Sequence, residues 1–132
     1  IMDVPLRYTI KKELFFFPLG LFLRGLGGIP IDRKNKSNMV QKMVDLYQAE
    51  GQLCILITPE GTRSHSPEWK KGFYHIAQEA QVPIILGYLD YKKKHAGVGP
   101  IITPSGDYEK DLKEIQDFYR TITPKYPEKG VL

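Results

Sequence analysis

The spacing of apolar and polar positions changes several times along the chain, and each change marks an element. Arg7-Tyr8-Thr9-Ile10 combines aromatic and β-branched residues and reads as a short strand. Pro18 to Leu26 reads as a short helix closed by Gly27-Gly28, and Ile29 to Ile31 as a strand running into Asp32-Arg33. Between Ser37 and Gln48 the pairs Met39-Val40, Met43-Val44 and Leu46-Tyr47 recur at helical spacing. Asn35 or Ser37 is suited to cap that helix, and Gly51 to stop it. Leu53 to Ile57 is a continuous apolar run of strand length, expected to be buried. Lys70 to Ala80 returns to the helical period, with Phe73, Ile76, Ala77 and Ala80 on one side. Val82 to Leu89 is a further buried strand and Ile101-Ile102 a short one. Asp107 to Thr121 is an amphipathic helix carrying Leu112, Ile115, Phe118 and Tyr119, and the Pro-containing tail from Thr123 reads as an extended end.

Alternating helices and strands predict an α/β fold: a layered sandwich with a mixed, mostly parallel sheet flanked by helices. With no repeat or linker in 132 residues, the whole of 1–132 reads as one domain. Composition agrees, because 42% hydrophobic and 26% charged residues are those of a globular chain rather than a disordered one. The net charge of +4 favours anionic partners without choosing among lipid headgroups, phosphorylated small molecules and nucleic acid. No basic stripe interleaved with aromatics is present, so nucleic acid is not expected. A single cysteine, Cys54, excludes an internal disulfide and reads as a structural thiol.

No run reaches the ~20 apolar residues that cross a bilayer. The nearest, Phe15-Phe16-Phe17-Pro18-Leu19-Gly20-Leu21-Phe22-Leu23, is short and interrupted by Pro18 and Gly20. Three consecutive phenylalanines cannot share one helix face, so some aromatic surface is expected to be exposed. A buried helix entry and a membrane-facing patch, with Lys11, Lys12 and Arg24 nearby, both fit.

Candidate chemistry gathers behind two strands. Arg33 follows a strand and a proline, where rigid backbone can present its guanidinium as a bidentate phosphate ligand. Thr58-Pro59-Glu60-Gly61-Thr62-Arg63-Ser64 follows the run Leu53 to Ile57 and offers a second arginine, an acid and a glycine that admits a ligand close to the backbone. Parallel strands would bring both loops to one sheet edge, where ligands collect in open α/β sheets. Salt bridges from Arg33 to Asp32 and from Arg63 to Glu60 are an equally simple use of the same residues. Lys70 and Lys71 stand where a helix begins and suit either an anion or solvent. The histidines and the lone cysteine have no zinc-ligand spacing, Ser64 lacks a Gly-x-Ser-x-Gly setting, and no phosphate-binding glycine fingerprint occurs.

Taken in order, Gly27-Gly28-Ile29-Pro30-Ile31-Asp32-Arg33, Pro59-Glu60-Gly61-Thr62-Arg63-Ser64 and Val82-Pro83-Ile84-Ile85-Leu86 resemble three blocks of the lysophospholipid (glycerolphosphate) acyltransferase family. The resemblance implies transfer of a fatty acyl group from acyl-coenzyme A or acyl carrier protein to the hydroxyl of a glycerophosphate or lysophospholipid acceptor. It implies acceptor binding by Arg33, Glu60, Gly61, Thr62 and Arg63, with Pro83 shaping the pocket wall. No bound cofactor and no metal are implied, and the expected place is peripheral, on the cytoplasmic face of a membrane. The family also carries an earlier His-x-x-x-x-Asp block whose His is the general base. Here Lys70, Ala80 and Pro100 stand five residues after His65, His75 and His95, so the block is missing. The catalytic pair is therefore expected upstream of Ile1, in an amino-terminal part that this chain lacks, and no catalytic residue is assigned within it. A non-catalytic lipid- or anion-binding module of the same fold is the alternative.

Overall fold

The structure, a computed structural model, describes residues 5–31, 36–60 and 68–131, in two compact units, Ile1–Pro59 and Glu60–Leu132. In the first unit, β1 (Leu6–Lys11) is the middle strand, with β2 (Gly28–Ile31) on one side and β3 (Cys54–Leu56) on the other. Both neighbours run parallel to β1, in registers from Tyr8 opposite Gly28 to Lys11 opposite Ile31 and from Leu6 opposite Cys54 to Tyr8 opposite Leu56. Parallel neighbours need crossovers. These are α1 (Leu19–Gly25), between β1 and β2, and α2 (Lys36–Glu50), between β2 and β3.

The helical stripe read from the sequence forms the buried side of α2: Met43 and Val44 are almost fully buried, and Met39, Val40, Leu46 and Tyr47 half-buried. Gly51, at φ +66°, takes the left-handed conformation that ends the helix. Arg7 on β1 donates from Nη2 to both carboxylate oxygens of Glu50, at 3.3 and 3.4 Å, and so fastens the end of α2 to the sheet. Strand β3 is shorter and less buried than the apolar run suggested: Leu53 and Ile57 lie outside it, and Leu56 is 57% exposed. It pairs with β1 over three positions only, and hydrophobicity alone cannot set how far a ladder extends.

The second unit contains α3 (Gly72–Ala80), an antiparallel hairpin of β4 (Ile84–Asp90) and β5 (His95–Ile102), and α4 (Tyr108–Arg120). The α/β class is borne out, with parallel and antiparallel pairings in separate sets of strands. The hairpin corrects two expectations. Strand β5 begins at His95 rather than Ile101, because Gly97, Gly99 and Pro100 disguise it. In β4 burial alternates, with Leu86 and Asp90 inward and Ile85, Gly87 and Leu89 outward. Leu86, Ile102 and Ile115 form the core, and Trp69, Phe73, Ile84, Phe118 and Tyr119 pack against them. Asp107 caps α4 by accepting from Lys110 N–H at 3.1 Å, and Glu109, Asp111 and Arg120 suit the dipole at its two ends.

A buried polar network joins α3, α4 and the loop before α4. Asp111, 3% exposed, accepts at 2.7 Å from the Tyr74 hydroxyl, from Ser105 N–H and from the Ser105 hydroxyl. Gly106 N–H in turn donates to the Tyr74 oxygen at 3.1 Å.

The glycines that disguise β5 have a packing role. A Cβ on Gly99 would run into the Phe118 ring, 2.8 Å from its Cε1. Gly99→Ala is therefore expected to cost about 1–3 kcal/mol, the usual range for overpacking. A denaturant titration checks this. An unchanged midpoint would mean that the ring moves aside without loss.

Candidate acceptor-binding edge

The three-stranded sheet determines what its edge can gather. Strands β2 and β3 lie on either side of β1 and point the same way, so their carboxyl ends face the same edge of the sheet, about 10 Å apart across two strand spacings and offset by about another 10 Å along the strands. The chain leaves β2 at Ile31 toward Asp32-Arg33. It leaves β3 through Ile57, Thr58 and Pro59 toward Glu60. The β3 ladder stops at the level of Tyr8 and the β2 ladder at Lys11, three residues further along β1.

Of the expected site residues, Glu60 and Pro83 are among those described. Glu60 is half-buried in the turn that follows β3. Pro83 is exposed and immediately precedes β4; ahead of it Gln81, at φ 55°, closes α3, and Val82 N–H donates to the Ala77 carbonyl at 3.0 Å. Arg33, Gly61, Thr62 and Arg63 lie outside the described residues.

Strand order adds a feature that sequence reading did not assign to the site. Strand β1 lies between β2 and β3, and its carboxyl end continues into a 3-10 turn, Lys12–Leu14, with Lys12 and Glu13 exposed. Charge at that point was visible in the sequence. That β1 is central was not, because strand order follows from crossovers rather than from local pattern.

The other polar candidates have partners or settings of their own. Lys71 Nζ lies 3.5 Å from Glu109 Oε1 and 4.4 Å over the Tyr108 ring, so it is engaged in linking α3 to α4. His75 is exposed on α3, and His95 opens β5 with Nδ1 3.2 Å from the Tyr88 hydroxyl; His65 lies outside the described residues. Cys54 is half-buried in β3. Among the described residues no His, Cys, Asp and Glu cluster is arranged to hold a metal, and no helix is long and apolar enough to cross a membrane.

Comparison with known proteins adds what this geometry alone does not supply. Residues 1–86 match the family model described as Acyltransferase. The 1-acyl-sn-glycerol-3-phosphate acyltransferase of Limnanthes douglasii is 36% identical over 133 residues, covering 88% of this chain and 47% of that protein. The human 1-acyl-sn-glycerol-3-phosphate acyltransferase beta is 39% identical over 82 residues, 57% of this chain and 29% of the human one. The 1-acyl-sn-glycerol-3-phosphate acyltransferase of Saccharomyces cerevisiae is 31% identical over 85 residues, 58% of this chain and 28% of the yeast one. The chain thus spans about half the length of the Limnanthes relative and less of the others. No solved structure gives a significant match. With most of its length matched by the family model, and with the strands ahead of Arg33 and Glu60 ending on one edge, the chain belongs to the acyltransferase family.

Proposed function

We propose that this chain forms the acceptor-binding part of an O-acyltransferase. The reaction moves a fatty acyl group from the thioester of acyl-coenzyme A or acyl carrier protein to a hydroxyl of a glycerophosphate or lysophospholipid. The observation that supports the reading is the parallel placement of β2 and β3 about β1 in a chain of this family: the strands that precede Arg33 and Glu60 in sequence run the same way in one sheet.

The roles follow from charge and shape. Arg33 forks onto the acceptor phosphate, which a planar guanidinium matches with two parallel hydrogen bonds. Arg63 offers a second cation. Glu60 repels phosphate, so its use is to accept a hydrogen bond from a glycerol hydroxyl or to orient a neighbouring arginine. A glycine at 61 would admit a ligand close to the backbone, and Thr62 and Pro83 belong to the family-like blocks that the resemblance links to the acceptor. In the transfer itself a base removes the acceptor hydroxyl proton, the oxygen attacks the thioester carbonyl, and the tetrahedral intermediate expels the thiolate. The base belongs to the family's His-x-x-x-x-Asp block, which these 132 residues do not contain.

A membrane surface suits this chemistry, because acceptor and product are lipids. The residues around α1 support it: Phe16 is 58%, Phe17 82% and Phe22 65% exposed, and Lys12 and Arg24 are exposed close by in sequence. Phenylalanine at the headgroup boundary and lysine or arginine beside it is the composition of a peripheral contact.

The test compares two proteins. The 132-residue chain, given lysophosphatidate and either acyl donor, is expected to form no phosphatidate. The same chain joined to a segment bearing the His-x-x-x-x-Asp block is expected to form it, and the donor that supports turnover identifies the thioester used. Failure of the joined protein with both donors would overturn the catalytic reading in favour of an anion-binding module.

A further inference from the structure

We propose that the turn joining β4 and β5, together with the apolar side chains beside it, docks on an anionic phospholipid bilayer. Tyr91, Lys92, Lys93 and Lys94 form this turn, all exposed, and His95 follows at the start of β5. Tyr91 is 50% and Leu89 60% exposed. A cleft of about 310 Å³, open to solvent, is lined by Leu89, Asp90, Tyr91, Lys94, His95 and Ala96. An aromatic ring and an aliphatic side chain next to several ammonium groups answer both parts of a membrane interface: the acyl boundary takes the first pair, the phosphates the second. An acidic protein would answer the lysines but would not require Leu89 and Tyr91 beside them. The lipid bilayer is the partner that uses the whole turn.

The turn is held in shape, so little ordering is required on contact. Asp90, 2% exposed, accepts from Lys93 N–H at 2.9 Å, and Lys93 Nζ stands 3.8 Å from its other oxygen. Tyr91 N–H donates to the Thr123 carbonyl at 2.8 Å, tying the turn to the segment after α4. Lys94 occupies the left-handed region at φ 53°. Asp90 partly neutralises Lys93, whereas among the described residues neither Lys92 nor Lys94 has an ion-pair partner. These two lysines are the charges left for phosphate.

The surface does not depend on the acyl-transfer reading, and its test needs no turnover. The 132-residue chain is floated with vesicles of equal parts phosphatidylcholine and phosphatidylglycerol, and separately with phosphatidylcholine alone. The variant Lys92→Gln/Lys94→Asn removes the charges while keeping a residue that tolerates the left-handed position. At ~1 kcal/mol for each lysine near the surface, it should bind anionic vesicles about thirtyfold more weakly. Its preference over neutral vesicles should fall by the same factor, because the charges around α1 are unchanged in parent and variant. Tyr91→Ser should weaken binding to both kinds. Because all three side chains are exposed, thermal unfolding of the variants should match the parent and show that folding is intact. Failure of the parent to float, or parent-level flotation by the lysine variant, would overturn the proposal. So would capture of acyl carrier protein that the lysine variant loses while its vesicle binding stays, since the partner would then be an acidic protein.

Discussion

Asp111→Ala is expected to lower stability by about 3 kcal/mol, because it strips a buried charged acceptor from several donors at once. The Tyr74 hydroxyl and both donors of Ser105 point at this carboxylate, and α3, α4 and the loop between β5 and α4 meet there. Removing the carboxylate leaves those donors without their partner in a buried site. Asp111→Asn keeps the shape but turns an amide N–H₂ toward donors, so it should fall between alanine and the parent. Tyr74→Phe should cost less, on the order of 1 kcal/mol, since it removes one bond to Asp111 and the acceptor of Gly106 N–H. Chemical denaturation of the three variants ranks them. Asp111→Ala with parent stability would show that the network contributes nothing.

The same carboxylate gives the stability curve a direction with pH. Burial pushes the Asp111 carboxyl up, but the Ser105 N–H, the Ser105 and Tyr74 hydroxyls and the Lys110 charge outweigh it, and the group ends below its ordinary value. The folded state therefore binds this proton less tightly than the unfolded chain. Its contribution is complete above the ordinary aspartate value of ~3.9 and is lost as pH falls through the lower folded value. Asp90 acts in the same direction, chiefly through the Lys93 N–H and against the cost of its burial. Tyr74 works at the other end. Burial first and the Asp111 hydrogen bond next raise its hydroxyl, so its contribution is present below ~10 and is lost as pH rises through the folded value. Asp111→Asn should flatten the acid limb of stability against pH while the Asp90 part remains. An acid limb of unchanged slope would remove Asp111 from that role.

Much of this architecture was legible because burial and sequence pattern coincide. The α2 stripe at Met43 and Val44, the Gly51 stop and the amphipathic helix that begins after Asp107 each have a local cause, and each was read from a few residues. What escaped depends on contacts distant in sequence. Strand β5 carries two glycines and a proline, poor strand residues by propensity, yet Gly97 and Gly99 are what allow the Tyr88 and Phe118 rings to lie on it. The polar network was invisible for a related reason: Tyr74, Ser105 and Asp111 converge only once α3 and α4 have packed. At the carboxyl edge of the parallel sheet the balance reverses. Arg33 and residues 59–63 stood out in the sequence because charge there follows an apolar strand together with proline or glycine, and their order matches the blocks of a known family; an ordinary ion pair would use the same residues. The central position of β1 required the fold.

Arg33→Lys is expected to raise the KM for the acceptor much more than that for the acyl donor, in the chain joined to the family's His-x-x-x-x-Asp block. The argument rests on geometry rather than charge. Lysine keeps the positive charge, but its ammonium is a single point that cannot give two parallel hydrogen bonds to one phosphate. A contact of this kind is worth ~1–3 kcal/mol, which corresponds to roughly five- to 150-fold in acceptor affinity. The donor thioester carries no phosphate near its reacting carbon, so a residue dedicated to the acceptor should leave donor KM almost unchanged. Arg33→Ala should be worse than lysine on the acceptor, since it removes the residual point charge as well. Phosphate recognition also predicts a second signature: an acceptor analogue without its phosphate should be used equally poorly by the parent and by both variants. Equal rises in the two KM values, or discrimination by Arg33→Lys against the phosphate-free analogue as strong as the parent's, would assign Arg33 to its neighbour Asp32 instead.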